Sequence, residues 1–251
     1  MKTMLVLSMG ALLLAGTLSA QTPIPEWQAG VDKMKSLIQT NPAQASEEVG
    51  GLLKGKNKKN VDLVTSVAHV YLDAGKLTEA QEYLAMAKKA DNKDPKVSVL
   101  EGDIALAQKD IGQACQLYEQ AIYFDPNCKE AYLKYAQAYK SASPALAIEK
   151  LEQLKAVDPN CLEADRELAE VYYSSNRFGK AAEMYAKFID TPLATEDDML
   201  KYAFALFLNH DFEKSLQVAQ KGLQKNARHA AFNRLVMYNN CLLYTSDAAD
   251  D

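Results

Sequence analysis

Histidine, cysteine and paired carboxylates are the side chains from which a metal site or a nucleophile–base pair is most readily built, and this chain uses them sparingly. Its three histidines, His69, His210 and His229, never share a helical turn, so neither a zinc pattern nor a His-dependent triad can be assembled from neighbours. Cys115, Cys128 and Cys161 contain no CxxC, and no histidine lies at ligand spacing from them. They read as small, partly buried residues. Gly50-Gly-Leu-Leu-Lys-Gly-Lys-Asn57 nearly spells a phosphate-binding loop, but a helical pattern precedes it and Asn57 stands where a magnesium-binding hydroxyl is required. It reads instead as a glycine-terminated helix entering a basic loop. No HExxH, GxSxG or GxGxxG occurs, and pairs such as Glu149 and Glu152 are ordinary solvated helix faces. The expectation is a protein that is not an enzyme and carries no cofactor and no metal.

Composition points the same way. The 251 residues carry 28 Lys+Arg against 33 Asp+Glu, a net charge of −5, and 48% are hydrophobic, which describes a folded, mildly acidic chain. No concentrated positive face is available for nucleic acid, so that partner class is excluded from the reading. Only 11 Gly and 8 Pro interrupt a sequence dominated by good helix formers.

Both ends are set apart. Lys2, the apolar run Met4–Ala15 and the small residues up to Ala20 have the three-part pattern of a secretory leader, so residues 1–20 are expected to be removed. The apolar run is too short for a membrane anchor, and no Cys follows the cleavage position. The expected location is periplasmic or secreted, not as a lipoprotein and with no stable membrane insertion. At the other end, Cys241–Asp251 resembles the translation of a transposase adapter from a sequencing library. It is treated as a non-native tail, the natural chain being expected to continue past Asn240.

Between these ends runs an internal period. Ala68, Gly102, Ala136, Ala169 and Ala203 form one column of small residues at spacings of 33 or 34, and Ala80, Ala114, Ala147, Ala181 and Ser215 form a second. Tyr71, Ala105, Tyr139, Tyr172 and Leu206 follow the first column by three. Leu84, Tyr118, Leu151, Tyr185 and Ala219 follow the second by four, which places them on the same helix face as the small residue. Asp125-Pro126, Asp158-Pro159 and Asp190-Thr-Pro192 then stop the second helix in three of the units, and the first closes three residues late at Asp94-Pro95. Two helices can cross closely only where neither side chain is large, and a single hairpin cannot bury its apolar stripe, so stacked copies must cover one another. Ahead of the array, Ile24–Lys54 reads as a degenerate helical pair, with Asn41 as cap and Pro42 in the first turn, and 55–60 as a basic linker.

The paired small residues, the aromatic or Leu after each and the closing Pro resemble the tetratricopeptide repeat, as in Ala136, Tyr139, Ala147, Leu151 and Pro159. The resemblance covers residues 61–240, as five complete repeats beginning near Val61, Lys96, Lys129, Leu162 and Glu196, followed by one helix A. The division is therefore leader 1–20, cap and linker 21–60, array 61–240 and tail 241–251. The fold implied is all-α: a right-handed superhelical solenoid of antiparallel helix hairpins. With no helix B after the last helix A, the stretch Phe212–Gly222 is expected to expose an apolar face.

The same resemblance implies a concave groove lined by fixed positions of helix A. Carried onto this chain, its peptide-binding residues are His69, Asp103, Gln137, Lys140, Arg166, Glu170, Tyr173, Phe204 and Phe207. The Lys and Asn clamp with which some members hold a terminal carboxylate is not reproduced. Phe204 and Phe207 are read either as an apolar slot for a partner segment or as core facing further helices. The leading reading is an exported interaction scaffold that binds a protein or peptide in this groove. The alternative is a recognition arm of a larger envelope enzyme or outer-membrane assembly factor, and self-association through the terminal face is a third class.

Overall fold

Capping side chains and left-handed turn residues divide the chain into helices at a regular interval. The computed structural model describes residues 24–250, with side chains through 244; the leader assigned to residues 1–20 lies outside the described residues. The first pair is α1 (Gln28–Leu37) and α2 (Pro42–Leu52), followed by a 3₁₀ turn, Gly55–Lys59. Five hairpins follow: α3 (Val61–Asp73) with α4 (Leu77–Ala90), α5 (Pro95–Ala107) with α6 (Ile111–Phe124), and α7 (Lys129–Tyr139) with α8 (Pro144–Val157). Next come α9 (Leu162–Ser174) with α10 (Phe178–Phe188) and α11 (Glu196–Leu208) with α12 (Phe212–Lys225), and α13 (Ala230–Asp250) closes the series. Among the described residues there is no strand, and the fold is an all-α helical-repeat solenoid.

The starts and stops have local causes. Asn41 Oδ1 accepts from the Gln44 amide at 3.2 Å, Asn60 Oδ1 from the Leu63 amide at 3.1 Å and Asp110 Oδ1 from the Gln113 amide at 2.9 Å, each satisfying a donor the first helical turn leaves open. Thr195 and Asp198 form a reciprocal capping box on α11. Four of the five helix A segments end on a residue with left-handed backbone: Gly75 (φ 75°), Lys109 (67°), Asn176 (57°) and His210 (63°). In each case the next amide reaches back five residues, as from Lys76 to the Tyr71 carbonyl at 2.9 Å and from Asp211 to that of Leu206 at 2.9 Å. This is the Schellman closure. The α7–α8 turn lacks it because Ala136 and Ala147 are one residue closer in sequence than their counterparts, and there the Ser143 amide donates to the Tyr139 carbonyl at 2.8 Å.

Small residues sit where the helices cross. Ala68, Ala80, Ala114, Ala147, Ala169, Ala181 and Ala203 are fully buried, and a Cβ added to Gly102 would lie 2.5 Å from the Tyr118 ring. The apolar core runs the length of the stack, from Met34 and Leu63 through Leu100, Tyr118, Leu151 and Tyr185 to Phe232 and Leu235. Burying such side chains stabilises the array by about 1.5–3 kcal/mol each before entropy is counted.

One sequence expectation is met here and one changes. The near-miss phosphate loop is a helix terminus: Asn57 Nδ2 donates to the Leu52 carbonyl at 3.0 Å, and Gly55 takes φ 58°. The face of α12 expected to stand open is covered by α13, whose Phe232 ring packs on Gly222 and whose buried Asn239 donates to Ser215 Oγ at 2.9 Å. The exposed apolar surface has moved outward to Leu208, Met237 and Tyr238. One helix is enough to cover a helix, so the open face belongs to the last element in the series.

Candidate functional site

Helices α3, α5, α7, α9 and α11 lie side by side, so residues at matching places in each form rows across the groove face of the solenoid. One row reads His69, Asp103, Gln137, Glu170, Phe204; another reads Leu72, Leu106, Lys140, Tyr173, Phe207. Charge crowds the first four repeats and aromatic surface the last two.

The polar members pair with one another across repeats. Asp103, only 7% exposed, accepts from the Tyr118 hydroxyl at 2.7 Å and from Lys134 Nζ at 3.0 Å, and its Oδ2 lies 3.1 Å from His69 Nε2. Burial pushes this carboxyl up, but the hydrogen bonds from His69 and Tyr118 and the Lys134 charge outweigh it and hold the group below its ordinary value. Glu170 repeats the arrangement, accepting from the Tyr185 hydroxyl at 2.7 Å and from Lys201 Nζ at 2.9 and 3.0 Å. Burial and the neighbouring carboxylates push both tyrosine hydroxyls far above the usual phenol value, so they stay donors.

The remaining polar site residues are occupied in the same manner. Gln137 Nε2 donates to Glu167 Oε1 at 2.8 Å, with Lys140 Nζ 3.9 Å from the other oxygen. Arg166 forks onto the buried Asp198, Nε at 3.1 Å and Nη2 at 3.0 Å. His69, Asp103, Gln137, Lys140, Arg166 and Glu170 thus form a ladder that ties each helix A to the next.

The three aromatic residues are differently placed. Tyr173 is half-buried, edge-on to Phe178 at 5.7 Å, and its hydroxyl has no partner among the described residues. Phe204 and Phe207 are also half-buried, resting on the cluster of Met199, Ala203, Ala219, Phe232 and Leu235. Phe207 lies 5.6 Å from Phe212 and 6.4 Å from Tyr238, which is 49% exposed. Both rings are thus packed against the core cluster while keeping part of their surface exposed.

Sequence reasoning missed the partners that hold the ladder: Tyr118, Lys134, Tyr185, Lys201 and Asp198. A signal was present, because Asp103 and Glu170, Tyr118 and Tyr185, and Lys134 and Lys201 are each 67 residues apart, two repeats rather than one. Where helix B carries Tyr, helix A carries a carboxylate and the following repeat a lysine. Where helix B carries Leu84 or Leu151, the matching helix A residue is His69 or Gln137. Among the described residues no group of His, Cys, Asp and Glu is arranged to hold a metal, and no helix is long and apolar enough to cross a membrane.

The comparisons with known proteins agree with this geometry. The family model of the tetratricopeptide repeat matches residues 67–127 and 137–194, two spans that each hold about two hairpins. No curated protein matches the sequence. Among solved structures, the chain is similar to PilW, a widely conserved type IV pilus biogenesis factor, at 16% identity and a TM-score of 0.64, over 83% of this chain and 97% of that one. It is likewise similar to PilF of Pseudomonas aeruginosa at 16% identity and 0.60, over 82% and 95%. A third is YrrB, a repeat protein with an unusual peptide-binding site, at 14% identity and 0.54, over 74% and 96%. At such identities the likeness is one of fold.

Proposed function

The chain is a tetratricopeptide-repeat protein, and from that premise we propose that it is a non-enzymatic scaffold that holds a segment of another polypeptide along its helix A groove. One observation carries this reading: the charged groove residues are consumed in bridges between repeats, while Tyr173, Phe204 and Phe207 beside them stay partly exposed. The ladder fixes the curvature of the groove, and the aromatic end supplies the grip. Half-buried aromatic residues are efficient anchors, because their rotamers are already fixed and their remaining surface is desolvated on binding. The peptide-binding site described for YrrB belongs to that protein, yet it lends support to a groove reading on the same fold. The leader pattern at residues 1–20 supports an exported location. The exposed Leu208, Met237 and Tyr238 leave room for self-association as a second use of the same end.

The test is selection of binding peptides from a displayed random library on the full chain, repeated with F204A/F207A. The reading predicts selected peptides with apolar or aromatic anchors whose binding the double variant loses while its helical content stays intact. Undiminished binding to the double variant would contradict it.

A further inference from the structure

At the opposite end of the groove from the aromatic slot, a cleft of about 390 Å³ is enclosed by elements that the repeat pattern alone does not bring together. Pro25 and Trp27, from the segment leading into α1, form one wall; Asp62, Ser66 and His69 of α3, Lys96 of α5 and Glu130 of α7 form the rest. Trp27 is the chain's single tryptophan.

What distinguishes this cleft is the direction of its hydrogen-bonding capacity. Ser66 donates its hydroxyl proton to the Asp62 carbonyl at 2.6 Å, and the neighbouring Thr65 donates to that of Val61 at 2.8 Å. Both hydroxyls therefore offer only lone pairs outward. His69 Nε2 faces the Asp103 carboxylate, an acceptor, so in the neutral ring that nitrogen carries the hydrogen and Nδ1 is left as an acceptor. Among the described residues nothing bonds to Nδ1. Glu130 is exposed and, among the described residues, has no cation within ion-pair distance, though its charge acts on Lys96. The one cation, Lys96, is committed to Asp62. Asp62, Asp94 and Glu130 all raise the Lys96 ammonium above its ordinary value, with burial opposing them, as a site with surplus negative charge should. Four elements thus converge on a space in which two carboxylates face a single ammonium, with hydroxyl lone pairs beside them and an indole for a wall.

We infer that this cleft is a subsite for a cationic, donor-rich side chain, an arginine or lysine of the bound polypeptide, received by Glu130, Ser66 and His69 against Trp27. The indole adds cation–π attraction to the carboxylate's charge. The inference rests on the groove reading above and gives the partner segment a direction, with its basic residue over α3–α7 and its apolar anchor over α9–α11.

Trp27 makes the test direct, since its fluorescence is the only tryptophan signal and it arises in the cleft wall. The full chain is titrated with a capped Ala-Arg-Ala peptide and, in parallel, with the same peptide carrying citrulline, which keeps the shape and loses the charge. The expected result is a saturable change with arginine, at least about fivefold weaker with citrulline, and weakened roughly tenfold by E130Q. Glu130 is exposed and unpaired, so its replacement leaves the fold intact. Equal response to both peptides, no response to arginine, or indifference to E130Q would overturn the assignment. If that happens while F204A/F207A still abolishes peptide selection, the cleft assignment alone falls; if both fail, the groove reading falls with it.

Discussion

Replacing Asp103 with Ala removes the acceptor at which Tyr118, Lys134 and His69 meet. The largest cost is the Tyr118 hydroxyl, fully buried and deprived of the acceptor it reaches at 2.7 Å, worth about 1–3 kcal/mol. Lys134 is 34% exposed and recovers solvation on release, so its bridge contributes at most about 0.5–1 kcal/mol. His69 is half-exposed and adds little. The sum is a loss of roughly 2–4 kcal/mol. Tyr118→Phe alone leaves Asp103 with its Lys134 and His69 partners and costs about 1–2 kcal/mol. The informative comparison is the double variant: adding Tyr118→Phe to Asp103→Ala removes the orphaned hydroxyl, so it costs nothing further or restores stability. Urea unfolding at pH 7, followed by helical circular dichroism and by Trp27 fluorescence, gives the four corners of the cycle. A coupling of about 1–2 kcal/mol is expected, and strictly additive losses would refute the Tyr118–Asp103 hydrogen bond as the link between α5 and α6 that holds Asp103 in place for its cross-repeat partners.

Three further outcomes follow from the geometry. Gly102→Ala, which drives a methyl to 2.5 Å from the Tyr118 ring, costs about 1–3 kcal/mol in urea unfolding. Gly75→Ala, with open space around the added carbon but φ at 75°, costs only about 1 kcal/mol, so the order of the two separates packing from backbone strain. Because the folded Asp103 carboxyl sits below its unfolded value, its stabilisation is full above about pH 4 and is lost as pH falls through the folded value. Acid unfolding of Asp103→Asn should accordingly be shallower below about pH 4 than that of the parent chain, and equal slopes would count against the assigned shift.

The repeat and its helices are legible in the sequence because they rest on local rules. Small residues recur where helices cross, proline follows four of the five helix B segments, and Asn or Asp caps the start of many helices. The ladder is not legible at one-repeat resolution. Tyr118 and Tyr185 fill the same wedge as Leu84 and Leu151, and only their hydroxyls, seen against Asp103 and Glu170, show that they do more than fill space. The cleft at Trp27 could not be foreseen for a related reason, since its wall comes from outside the periodic segment and its acceptor character depends on where hydroxyl protons point. Coverage of α12 by α13 was missed because the cover was expected from a further helix B, whereas the last helix A alone packs Phe232 onto Gly222.

Groove binding requires that the helix A face of the solenoid meet the partner. Hydrogen exchange of the full chain with and without a selected peptide measures this directly. Slowed exchange confined to α3, α5, α7, α9 and α11, strongest around Tyr173, Phe204 and Phe207, is the predicted result. Protection centred on α8, α10 and α12, with the helix A segments unchanged, would contradict it.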